Sequence, residues 1–153
     1  METIITPEKP DSADARLLIA ELEAELSSRY PAESRHGYSV EKLMAQRVEF
    51  FVMRCDGAPA GCGGIQFFDG EYGELKRMFV RPSFRGIGLS KIMLEWLTTL
   101  ARSRGVNVVR LETGIHQHAA IALYETAGFY QIPPFPPYRK DPVSRCYEKR
   151  LSG

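Results

Sequence analysis

The sequence predicts an α+β fold: a mixed, mostly antiparallel central sheet of about seven strands with helices on both faces. Three observations carry that expectation. Three runs of β-forming residues follow one another with only Asp56-Gly57 and Asp69-Gly70 as turns between them, which specifies an antiparallel meander. The hydrophobic period then lengthens, because Leu89, Ile92, Met93, Trp96, Leu97, Leu100 and Ala101 recur at helical spacing. After that, a strand, a helix and two more strands follow to the end of the chain.

In order, residues 1–7 form a short first strand. Asp11 or Ser12 caps a helix over 12–27, with Leu17, Leu18, Ala20, Leu22 and Leu26 on its mostly apolar face. Pro31 stops it from continuing, and residues 40–46 make a second, shorter helix. The meander strands are 48–54, 60–67 and 73–80. The middle one contains Gly61, Gly63 and Gly64, which weaken a strand unless another backbone must approach closely. A helix over 88–104 ends at Gly105, and a β-branched strand covers 106–113. Residues 117–127 are helical, closed by Gly128 as a left-handed C-terminal cap. Residues 129–132 begin a strand that Pro133, Pro134, Pro136 and Pro137 break into a stiff loop. Residues 144–151 return as the last strand.

With 153 residues and no internal repeat or linker, the expectation is a single domain spanning 1–153 around one core. Net charge is +1, from 20 basic and 19 acidic side chains, so the basic excess that marks a nucleic-acid partner is missing. The local pairs Lys76-Arg77 and Arg102 to Arg104 read as solvated faces. No window approaches the roughly 18 apolar residues needed to span a bilayer, and the first ten residues lack the pattern of a leader. Cys55, Cys62 and Cys146 are sparse and odd in number, which fits reduced thiols in a cytoplasmic protein. His116 and His118 have no nearby Cys or acidic pair to complete a zinc site, so no metal is expected.

The most informative run is Arg85-Gly86-Ile87-Gly88-Leu89-Ser90, between a strand and a helix. Its glycines allow close backbone approach, and the first-turn amides of the helix lack intrahelical partners, so the turn suits a pyrophosphate. It is not a nucleotide P-loop, because no Gly-Lys-Ser/Thr follows. A dinucleotide fold would place such a turn after the first strand of a parallel unit; here a meander precedes it. The second segment is Ala120-Ile121-Ala122-Leu123-Tyr124-Glu125-Thr126-Ala127-Gly128-Phe129.

These two segments, in this order, resemble the GNAT superfamily of acetyl-CoA-dependent N-acetyltransferases. The likeness covers nearly the whole chain and is densest from Glu74 to Phe129. The family signature, Arg/Gln-x-x-Gly-x-Gly/Ala, reads Arg85 to Ser90 here, with Ser90 in the last small position. Gln117 stands where the family usually has Asn before the Ala-x-x-Leu-Tyr run. The resemblance implies acetyl-CoA as cosubstrate, its pyrophosphate held by Arg85, Gly86, Ile87, Gly88, Leu89 and Ser90. It also implies pantetheine contacts from a bulged strand at Met78, Phe79 and Val80, and from Gln117. The amide polarising the thioester carbonyl is expected at Phe79. Tyr124 is the expected proton donor to the departing thiolate. Glu74 is the expected general base, with Glu112 on the next strand as the reserve.

The acceptor pocket is expected to include Tyr30, Arg35, His36 and Tyr38 early and residues 133–141 late, an aromatic wall on which Arg139 or Arg35 would suit an amine carrying a carboxylate. The expected activity is transfer of acetyl from acetyl-CoA to the primary amine of a small molecule by direct attack in a ternary complex. A peptide or protein N-acetyltransferase and a non-catalytic acetyl-CoA-binding module are the alternatives. Homodimers are common among proteins of this kind.

Overall fold

The computed structural model describes residues 1–151. Its strands are β1 (Thr3–Pro7), β2 (Glu49–Cys55), β3 (Ala58–Phe68), β4 (Tyr72–Val80), β5 (Val108–Gly114), β6 (Tyr130–Ile132) and β7 (Ser144–Arg150). Its helices are α1 (Ala13–Ser27), α2 (Val40–Ala45), α3 (Leu89–Ser103) and α4 (His118–Thr126). All seven strands join one sheet in the order β1-β2-β3-β4-β5-β7-β6. Only β4 and β5 pair in parallel; the other neighbours are antiparallel. This is the mixed, mostly antiparallel architecture that the sequence predicts.

The two faces of the sheet carry separate cores, and the alternation of β2 divides its residues between them. Phe51, Met53 and Cys55 pack with α3 and α4 residues such as Met93, Leu97, Ile121 and Tyr124. Phe50 and Val52 pack on the other face with Leu18, Leu22 and Leu43 of α1 and α2. A strand covered on both sides must be apolar at successive positions, which is why Phe50 to Met53 has no polar break.

Local chemistry sets the helix ends. Ser12 Oγ accepts from the Ala15 amide at 3.1 Å, and Ser39 Oγ from the Lys42 amide at 3.1 Å. At the end of α4, Gly128 takes φ 98°. The amides of Gly128 and Phe129 donate to the carbonyls of Glu125 and Tyr124 at 3.1 and 2.9 Å. That is the Schellman arrangement, completed by the Tyr124 and Phe129 rings 5.6 Å apart.

Three expectations are corrected. The buried stripe of α3 is Leu89, Met93, Leu94, Leu97, Thr98 and Ala101. Ile92 and Trp96 fall beside it, 41% and 43% exposed, with Trp96 edge-on to Phe51 at 5.8 Å. Thr98 is accommodated in the stripe because its hydroxyl bonds the Leu94 carbonyl at 3.0 Å. Leu17 and Ala20 of α1 are likewise exposed, and Ala15 and Ile19 take their expected place. Lys76 and Arg77 are buried, not solvated.

Two irregularities create the space for a site. β4 and β5 pair only at Gly73↔Val109 and Glu74↔Arg110; beyond these residues they part and leave a cleft. On its other side β4 bulges: Lys76 pairs with Gly64 and Phe79 with Cys62, so Arg77 and Met78 together oppose Gly63. Arg77 carries the bulge at φ 54°, a left-handed conformation that costs a non-glycine residue roughly 1 kcal/mol or more. Its guanidinium is held in place by the Tyr38 carbonyl at 2.9 Å and by Glu23 of α1.

Candidate active site

A groove of about 460 Å³ runs across the start of α3. Gly86 and Gly88 sit at φ 84° and 85°, where a side chain would be strained, and open space lies where a Cβ would stand. No side chain caps α3, so its first-turn amides remain available to an anion. Arg85 donates from Nε to the Val80 carbonyl at 2.9 Å and pairs with Glu25 at 2.8 Å. Met78, Phe79, Val80, Arg85, Gly86, Gly88, Leu89, Ser90, Gln117 and Tyr124 all border this groove. Ile87 does not; its side chain is half exposed, outside the groove.

The sequence reading missed Arg29, Lys91, His116 and His118, which add basic character to the same groove. Arg29 and Tyr30 donate to Gln117 Oε1 at 2.9 and 3.3 Å. That engages the acceptor end of this side chain and leaves its amide nitrogen free to donate.

The ladder geometry bears on which strand amide faces the groove. The Arg81 amide donates to the Ala60 carbonyl at 2.8 Å. Alternation along an antiparallel strand then turns the Phe79 amide toward β3, and those of Met78 and Val80 away from it, into the cleft. The acceptance of Arg85 Nε by the Val80 carbonyl agrees with that direction.

A second cavity, about 130 Å³, lies on the other side of the parted strands. Tyr30, Arg35, His36, Tyr38, Lys76 and Glu112 contribute to its wall, together with Tyr138 from the proline-rich loop. Arg139 is exposed and does not reach it. Glu112 Oε2 accepts from Ser144 Oγ at 2.6 Å, and burial raises its pKa above the ordinary carboxylate value of 4.5.

Glu74 stands elsewhere. It is 1% exposed, does not line the cavity, and is held by Lys76 Nζ at 2.8 Å and by the Tyr138 hydroxyl. Lys76 completes its surroundings with the Tyr138 oxygen at 3.2 Å and the Tyr38 ring at 3.9 Å. The Glu74–Lys76–Tyr138 cluster thus fastens the late loop to β4. Phe135 of that loop is buried, with its ring 5.1 Å from Tyr138.

The groove and the cavity share four residues: Met78, Gln117, Ala120 and Tyr124. Tyr124 is 5% exposed, and burial raises its phenol pKa well above the ordinary value of 10.0. Its hydroxyl makes no hydrogen bond among the described residues. A neutral phenol is therefore held at the junction of the two spaces. Among the described residues, no group of three or more His, Cys, Asp or Glu side chains is placed to hold a metal ion.

Residues 17–129 match the model of the acetyltransferase (GNAT) family. The chain belongs to that family. An IAA acetyltransferase of Azospirillum brasilense is 43% identical to this GNAT enzyme over 135 residues, 88% of each chain. A Klebsiella pneumoniae protein named for the acyl-CoA N-acyltransferases superposes with a TM-score of 0.83 at 36% identity, covering 98% of both chains. The PaiA N-acetyltransferase of Thermoplasma acidophilum, solved with coenzyme A, superposes with a TM-score of 0.76 over 98% of this chain and 99% of its own. At 17% identity that likeness is one of fold.

Proposed function

We propose that this GNAT enzyme moves the acetyl group of acetyl-CoA to the primary amine of a small molecule, by direct attack in a ternary complex. The observation that carries the reading is the meeting of groove and cavity at Met78 and Tyr124. The groove suits coenzyme A: uncapped amides and Arg85 would hold the pyrophosphate, and Gln117 and the Val80 peptide would hold the pantetheine arm. Bound there, acetyl-CoA supplies the activated acyl group.

The protein's own groups supply the rest. The Met78 amide, rather than that of Phe79, polarises the thioester oxygen. Glu112, rather than Glu74, takes a proton from the acceptor ammonium, because Glu112 faces the cavity and burial has raised its affinity for protons. The neutral nitrogen forms the new C–N bond as the C–S bond breaks. Tyr124 gives its proton to the departing sulfur; the amide nitrogen loses its second proton to solvent, and solvent returns one to the Tyr124 phenolate. Glu74 is assigned a positioning role, holding Lys76 and Tyr138.

The acceptor side favours a small molecule over a peptide. It is a small cavity to whose wall the fastened loop contributes Tyr138, and that wall holds one carboxylate, Glu112, beside several cations. Three free, buried thiols support a reducing, cytoplasmic setting. The test is coenzyme A release from acetyl-CoA with free amines and with short peptides. Turnover of free amines that falls in Tyr124→Phe supports the proposal. Turnover of peptides alone would contradict the small-molecule assignment.

A further inference from the structure

The acceptor cavity is charged in a specific way. Three guanidinium or ammonium groups line it: Arg35, Lys76 and Arg77. Two of them are neutralised within the protein. Lys76 pairs with Glu74 at 2.8 Å, and Arg77 pairs with Glu23. The Arg35 side chain makes no hydrogen bond or ion pair among the described residues, and its Nε is buried without a partner. A buried donor left unbonded is costly and is ordinarily satisfied. The carboxylate in the same wall, Glu112, has a hydroxyl partner, Ser144, but no ion-pair partner. His36 also lines the cavity, its ring 5.7 Å from that of Tyr138.

The cavity therefore presents one unpaired cation and one unpaired carboxylate. Their complement is a molecule with an ammonium at one end and an anion at the other. The same wall carries the rings of Tyr30, Tyr38 and Tyr138, which suit an organic carboxylate better than a strongly hydrated phosphate.

We infer that the acceptor is an amino acid or a similar small amine bearing a carboxylate, with the carboxylate on Arg35 and the amine directed to Glu112. The inference rests on the acetyl-transfer reading and narrows it. Arg35 is a specificity-determining residue here, because it binds the end of the acceptor that does not react. Of the two arginines that the sequence offers for this role, Arg35 reaches the cavity and Arg139 does not.

The test compares kcat/KM for α-amino acids, β-alanine and 4-aminobutyrate, each beside its own carboxamide. The carboxamide keeps the amine and the size but removes the charge. In the wild type the acid of at least one pair is preferred by about 10- to 100-fold, the range for a hydrogen bond to a charged group. In Arg35→Gln that preference disappears because the acid loses far more rate than the carboxamide, and Arg35→Lys restores part of it. Equal use of acid and carboxamide by the wild type, or a preference that survives Arg35→Gln, overturns the inference and leaves acetyl transfer standing. No turnover of any acid or carboxamide, with acetyl-CoA bound, would instead overturn acetyl transfer to free amines, and this inference with it.

Discussion

At the scale of single residues, environment separates two glutamates that are alike in sequence. Glu112 borders the cavity and has its pKa raised by burial, so activity should fall on the acid side through a pKa above 4.5. The sign for stability follows from the same shift. A carboxyl whose pKa is raised on folding favours the folded state below its unfolded pKa, and loses that contribution as pH rises through the folded value. Glu112→Gln should therefore lower kcat by about 10² to 10⁴ while raising Tm at pH 8 and not at pH 4. A lower Tm at pH 8 would contradict the assignment. Tyr124→Phe removes a hydroxyl that bonds nothing in the fold. It should lower kcat by about 10² with Tm unchanged in a thermal melt, a combination that a packing role alone would not give.

Only the candidates were legible. Glu74 and Lys76 are two apart on one strand, which places them on the same face, but the sequence reading set Lys76 on a solvated face and did not foresee their ion pair. Which carboxylate faces open space was not legible, because that depends on where β4 and β5 part. The sequence carries the candidates Glu74 and Glu112, and only tertiary packing ranks them.

At the scale of elements, locally encoded features were the readable ones. The Asp-Gly turns, the Ser12 cap, the Arg85 to Ser90 turn and the Gly128 cap depend on a few neighbouring residues. The β4 bulge does not: nothing in Lys76-Arg77-Met78 requires a left-handed Arg77, which Glu23 and Tyr38 stabilise from other elements. The glycines of β3 were a signal of it. A Cβ on Gly61 would stand 2.6 Å from the Phe79 carbonyl oxygen, so a backbone must move to admit it. Gly61→Ala should displace the Phe79 to Val80 segment, destabilise by about 1–3 kcal/mol, and weaken acetyl-CoA binding. Denaturant unfolding and a cofactor titration would read the two effects; wild-type values in both would show that this approach is not required.

At the scale of the whole molecule, the account depends on one sheet serving two spaces. The single parallel pairing lets the sheet open, α3 and α4 frame the groove, and α1 with the fastened loop frames the cavity. The groove is closed on one side by a carboxylate, since Glu25 pairs with Arg85 at 2.8 Å and lies 3.9 Å from Arg29. An incoming pyrophosphate competes with it for the same cations. Glu25→Gln should then tighten acetyl-CoA by about two- to fivefold, the effect of one partly screened charge, and Arg85→Glu should weaken it most. The most direct measurement is a calorimetric titration of the wild-type enzyme and these two variants with acetyl-CoA. Micromolar binding by the wild type, tightened in Glu25→Gln and lost in Arg85→Glu, is the predicted result. Absence of binding by the wild type, or equal affinity in all three proteins, would contradict the assignment of this groove to coenzyme A.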